Sequence, residues 1–180
     1  MFVNPIRTAL AVACIAFCSA ACSPQDSWTV SEEGFGPVRF GMKVEEAEKL
    51  LGVKLQQDTY NDSDECRYFT PIGAFAGLLF MTSNRSILRV DVQTAEGDTG
   101  LPTIATDFGA KIGDAEAHVV ALYKGHVKVG PHFYTGPEGH YLRVYNRHGK
   151  VRLIFETNGA KVVSYRAGRE PQIEYVEGCQ

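Results

Sequence analysis

Two separated stretches of this chain carry one pattern, and any fold must accommodate both copies. GPVRFGMKVEEAEKLLG (Gly36–Gly52) and FGAKIGDAEAHVVALYKG (Phe108–Gly125) align with Gly41 over Gly113. Ala47, Leu50 and Leu51 then fall on Val119, Leu122 and Tyr123. Each copy reads as a short extended piece, a glycine and a helix. Val44, Ala47, Leu50 and Leu51 keep helical spacing, and so do Ala115, Val119, Leu122 and Tyr123. Asp114 is a good N-cap for the second helix. Lys43, just ahead of the first helix, cannot cap, which leaves Glu45 and Glu46 to serve that end. Gly52 and Gly125 stand where the helices should stop.

The downstream halves match as well. FMTSNRSILRV (Phe80–Val90) aligns without gaps on FETNGAKVVSY (Phe155–Tyr165), each reading strand, tight turn, strand. Asn158-Gly159 is a strong hairpin signal, and Ser83-Asn84 stands in its place in the first copy. Cys66–Phe69 and Tyr141–Tyr145 supply a further strand ahead of each hairpin. The expected fold is α+β, two tandem repeats, each a short helix packed on an antiparallel meander of three to four strands. Residues 22–100 form the first repeat and 101–180 the second, joined through the polar stretch Thr94–Thr103. Neither sheet covers itself alone, so the two should pack as one body.

The amino terminus is an address. Met1–Ala21 has one charge, Arg7, then the apolar run ALAVACIAF and a small-residue stretch, the layout of a signal peptide over 1–21. Ser19-Ala20-Ala21-Cys22 resembles a bacterial lipobox with Cys22 as the lipidated residue. Ser19 stands where leucine is usual, and ordinary cleavage before Cys22 is the alternative. The expected location is the periplasm, anchored to the outer membrane through lipid on Cys22 only, or secreted if Cys22 stays unmodified. Ser23 after the cysteine permits outer-membrane export under enterobacterial sorting. No later apolar run is long enough to span a bilayer. Trp28, close behind, should pack on the body or the membrane surface.

The net charge of −3 argues against a nucleic-acid partner, which selects a basic stripe. Of five cysteines, Cys14 and Cys18 leave with the signal and Cys22 is taken by lipid. Cys66 and Cys179 remain, and an exported compartment favours a disulfide between them. None of the five histidines shows H-E-x-x-H or H-x-H spacing. His118, His126 and His148 read as surface residues, and a metal across His132 and His140 is the alternative to scattered histidines. Asn61–Glu65 reads as a solvated acidic loop. Calcium on Asp62, Asp64 and Glu65 is its alternative, without the full EF-hand spacing. No G-x-S-x-G elbow is present. The expectation is therefore no catalytic residue, no metal and no cofactor.

The best binding candidate is Gly130–Tyr145, where PHFYTGPEGHY gathers His132, Phe133, Tyr134, His140 and Tyr141 among glycines and prolines. Aromatics in a turn-rich loop offer flat faces with polar edges, suited to a sugar or a protein hot spot. The competing reading is a long hairpin loop whose Phe133 and Tyr134 fold back on the sheet.

FGM-x-x-x-E-A (Phe40–Ala47) followed by a meander resembles the small outer-membrane assembly lipoproteins and the two-repeat β-lactamase inhibitory protein. PHFYTGPEGHYLRVY, IFETNGAKVVSYRAGREP and the terminal YVEGC resemble a group of exported proteobacterial proteins sometimes labelled lectins. These resemblances imply a non-catalytic binding protein of the cell envelope, with a protein partner in an assembly or inhibitor role. The alternative they imply is a carbohydrate-binding protein that uses the loop 130–145.

Overall fold

The computed structural model describes residues 28–59, 65–94 and 100–179. The expected signal peptide over 1–21, Cys22 with its expected lipidation, Asp62 and Asp64 of the acidic run, and residues 95–99 of the joining stretch lie outside the described residues. The fold is α+β, and the described residues form two α-helices, an eight-stranded antiparallel sheet and a small three-stranded one.

The chain opens with the small sheet: β1 (Val30–Ser31), β2 (Gly34–Phe35) and β3 (Val38–Arg39). Helix α1 (Val44–Leu51) leads into β4 (Leu55–Gln57), β5 (Arg67–Pro71), β6 (Leu78–Ser83) and β7 (Ser86–Gln93). Helix α2 (Glu116–Leu122) leads into β8 (Val127–His132), β9 (Gly136–Tyr145), β10 (Val151–Thr157) and β11 (Val162–Gly168). Across the large sheet the order is β4-β5-β6-β7-β11-β10-β9-β8. Two four-stranded meanders thus meet through their last strands, with Val90 opposite Ala167 and Val92 opposite Tyr165.

Helix α1 forms because Val44, Ala47 and Leu51 bury one stripe, Glu45 and Glu46 occupy the positive first turn, and Gly52 closes it with φ 71°. The Glu48 carboxylate accepts the Leu55 N–H at 3.0 Å and Lys54 Nζ at 2.8 Å, which turns the chain into β4 and holds that carboxyl below its ordinary range. Helix α2 begins one residue later than the sequence suggests, with Ala115 rather than Asp114 at its cap. The Glu116 N–H that an Asp114 side chain would take already donates to the Ala160 carbonyl. Asp114 instead accepts the Lys111 N–H at 2.9 Å and closes the turn ahead.

Both helix entries are sewn to the last strand of their meander by the same bonds. Gly41 N–H donates to Ile87 O, Ile87 N–H to Met42 O and Val44 N–H to Arg85 O. In the second half the donors and acceptors are Gly113 to Val162, Val162 to Asp114 and Glu116 to Ala160. Gly41 and Gly113 have φ of 100° and 89°, a turn that side-chain-bearing residues rarely adopt.

The two faces of the large sheet differ. Phe69, Phe80, Val90, Val92, Phe155 and Tyr165 point to one side and form the main core with Val30, Phe35, Ala47, Leu51 and Val119. Each such burial stabilises by roughly 1.5–3 kcal/mol. The other side carries Tyr68, Met81, Arg89, Asp91, Tyr141, Ile154, Glu156 and Arg166, alternating with the core residues. Its centre is covered by the carboxy-terminal tail, where a short 3-10 helix (Gln172–Glu174) buries Ile173 against Tyr141, Val151 and Ile154. Cys66 and Cys179 are joined across 113 residues, pinning the tail's end beside β5.

The expected loop at 130–145 is instead strand, turn, strand, with only residues 133–135 between β8 and β9. Its prolines fit because β8 is an edge strand and Pro137 stands at the start of β9.

Candidate functional site

The hairpin between β8 and β9 spreads the five candidate residues over three environments. At its tip, Phe133 is 73% and Tyr134 59% exposed, with rings edge-on at 5.0 Å. His132 sets the turn: its Nδ1 accepts the N–H groups of Tyr134 at 3.2 Å and Thr135 at 3.3 Å. That fixes the proton on Nε2, which faces the Glu156 carboxylate at 3.4 Å. The imidazole stacks on Tyr141, centroids 4.5 Å apart. Tyr141 is buried, with the guanidinium of Arg143 4.9 Å from its ring. The Tyr134 hydroxyl donates to the Glu177 carboxylate, which pushes the phenol up to about 12.

His140 lies on the opposite, helix-bearing side. Its Nδ1 meets both oxygens of Glu116 at 3.0 and 2.9 Å, and Glu116 also accepts from the Thr157 hydroxyl. This cluster fastens the start of α2 to β9 and β10. His132 and His140, weighed from sequence as a metal pair, are thus committed to carboxylates on opposite faces. Among the described residues, no group of three or more His, Cys, Asp or Glu could hold a metal ion.

Beside the hairpin, under the tail, lies a set of charges that sequence reasoning passed over. Arg89 is engaged at every nitrogen. Nε meets both oxygens of Asp91 at 2.9 Å, Nη1 donates to the Gln172 and Tyr175 carbonyls at 2.9 and 2.7 Å, and Nη2 reaches Asp91 and the Tyr68 hydroxyl. Arg166 donates through Nε to the Ile173 carbonyl at 2.7 Å and through Nη1 to Glu156. Burial pushes Glu156 up, but the Arg166 guanidinium and His132 outweigh it and hold the carboxyl below its usual range. Burial raises the Tyr68 phenol. A cavity of 340 Å³ lies among Tyr68, Arg89, Asp91, Glu156, Arg166 and Glu177. The signal for this network was present: charges set inside the apolar strands SILRVDVQ and VVSYRAG.

A larger cavity of 830 Å³ opens on the other side of the molecule, between the turn of β1 and β2, the end of α2 and the turn of β9 and β10. No helix among the described residues is long and apolar enough to cross a membrane. Compared with known proteins, the chain matches no family model, no curated protein and no solved structure.

Proposed function

We propose that this is an exported, lipid-anchored, non-catalytic binding protein of the cell envelope that grips a protein partner with the Phe133–Tyr134 tip. The reading rests on one observation. Two large aromatic rings stand exposed on a three-residue turn whose backbone is held by His132 and whose tyrosine is tied to the tail at Glu177. Exposed rings cost little to order when the turn is already fixed, and central aromatics carry a large share of binding energy at protein interfaces.

Architecturally, we take the chain as two tandem repeats, 22–100 and 101–180. In support, the three hydrogen bonds at each helix entry join aligned residues, and the aligned Phe80 and Phe155, Ala47 and Val119, and Leu51 and Tyr123 are buried alike. The anchor rests on the sequence around Cys22 alone, and intact mass of the exported protein tests it.

The binding reading is tested by crosslinking and copurification from native envelopes, with the tagged lipidated protein beside its Phe133→Ala/Tyr134→Ala variant. A stoichiometric partner should appear with the parent and be lost with the variant, while the melting midpoint is unchanged. Retention of that partner by the variant would remove the tip from the interface. A parallel glycan array gives the competing outcome: sugar binding abolished by Tyr134→Ala would make the tip a carbohydrate platform.

A further inference from the structure

The 830 Å³ groove is lined by none of the tip residues, and its wall sets charged side chains around an apolar floor. Phe40, Leu122, Tyr123, Val144 and Leu153 form the floor, with Phe108 beside Tyr123 at 5.1 Å between ring centroids. Tyr123 is locked by its hydroxyl, which donates to Thr106 Oγ1 at 2.8 Å, so the floor is preformed. Phe108 is 59% exposed at the groove's mouth.

The lining includes Arg147, Arg152 and Arg169. Each has one nitrogen held by the protein: Arg147 Nε on His148 Nε2 at 3.2 Å, Arg152 Nη1 on the Val151 carbonyl at 2.9 Å, and Arg169 Nη2 on the Phe40 carbonyl at 2.8 Å. None has a carboxylate within ion-pair distance among the described residues, and the nearby Glu170 is taken by Lys150 at 3.0 Å. The guanidiniums are therefore oriented yet keep donors uncommitted to any carboxylate, the arrangement that receives an anion.

The same lining holds Glu32, Glu33, Asp107 and a fourth arginine, Arg39. Glu33 lies 3.9 Å from Arg39, and burial raises the Asp107 carboxyl, with the Glu32 charge adding to the shift. Arginines thus outnumber carboxylates four to three along the groove. The volume lies in the range of small-molecule sites, and an apolar floor with few convergent polar groups is their usual lining.

We propose that this groove binds an amphiphile with a single anionic head, a fatty carboxylate or a lipid phosphate, its head on Arg147, Arg152 and Arg169 and its apolar body along the floor.

The test is calorimetric titration of the full exported chain carrying Cys22→Ser, below micelle-forming concentrations, with dodecanoate and octyl glucoside. Dodecanoate should bind one to one and at least tenfold more tightly than octyl glucoside. Arg152→Gln/Arg169→Gln should weaken it at least tenfold, while Arg85→Gln, whose residue pairs with Glu45 away from the groove, should leave it unchanged. Should the double variant fail to fold, Arg147→Gln in its exposed turn carries the test, with an expected loss of several fold. Equal affinity for octyl glucoside, no binding of dodecanoate, or full affinity in a folded arginine variant would each overturn the proposal. A lipid phosphate and a fatty carboxylate are separated by repeating the titration with dodecyl phosphate, the tighter binder being the natural class of head.

Discussion

The two faces of the eight-stranded sheet are closed by different physics. On the helix side, α1, α2 and the small sheet seal the surface with side chains such as Ala47, Leu51 and Val119 meeting Phe80, Phe155 and Tyr165. On the tail side, guanidiniums grip backbone carbonyls. Arg89 holds Gln172 and Tyr175, and Arg166 holds Ile173, with one apolar contact at Ile173 and a disulfide at the end. Apolar packing is non-directional and tolerates substitution of like volume. A carbonyl clamp fails when one donor is removed. The first face is a core, the second a fastening.

The sharpest way to break that contrast is Arg89→Ala. It leaves the Asp91 carboxylate buried and takes the guanidinium from the Gln172 and Tyr175 carbonyls, of which Gln172 keeps only the Tyr175 N–H, and should cost about 3–5 kcal/mol in a urea titration. Arg89→Met with Asp91→Leu removes the stranded charge and should recover much of the loss. The deficit that stays, about 1–3 kcal/mol, is the share owed to the Gln172 and Tyr175 carbonyls. Full recovery would show that the tail needs no clamp. Cys66→Ser/Cys179→Ser comes next, at about 2–4 kcal/mol for a long closed loop. Amide exchange should quicken first in 172–179 and leave α1 and α2 protected. Equal quickening on both sides would mean that the faces unfold as one unit.

The third test is acid. Glu156 has a folded-state value below its unfolded one, so its contribution is present above the unfolded value of 4.5 and is lost as pH falls through the lowered one. Urea midpoints should therefore drop between neutral pH and pH values below 4.5, and Glu156→Gln should flatten part of that drop. The core-side control Phe155→Leu should lower the midpoint at every pH without changing the slope.

Sequence alone reached the helix side far better than the tail side. The glycine-to-helix pattern placed helices over Val44–Leu51 and Ala115–Tyr123, against the observed Val44–Leu51 and Glu116–Leu122, and Phe80 and Phe155 aligned the strands that carry the core. Those signals are periodic, and periodicity follows from burying one face. The edge strands β4 and β8 escaped because LQQ is short and VKVGPH carries Gly130 and Pro131, the composition of a loop. The aromatic segment stood out, but its sequence leaves open whether Phe133 and Tyr134 are exposed or fold back on the sheet, and the structure exposes both. The division of that segment was not legible, since only the register of β9 decides that Tyr141 turns toward Arg166 while His140 turns toward Glu116. The clamp was legible least. Arg89 finds its carbonyls more than eighty positions along the chain, and no local pattern records such a partner.

The smallest effect sharpens the contrast at the point where the tail meets the binding tip. Tyr134 donates to Glu177, and this bond, more than any burial, raises its phenol to about 12 from an ordinary 10. Glu177→Gln removes the charge that opposes the phenolate, so the alkaline ultraviolet titration of Tyr134 should move down toward 10. The melting midpoint should change by no more than about 1–2 °C, because a solvent-exposed contact contributes little to stability. Partner capture should survive, since both rings remain in the same turn held by His132. If capture were lost with Glu177→Gln while Phe133 and Tyr134 stayed in place, the partner would be reading the tail, and the fastened face would itself be the interface.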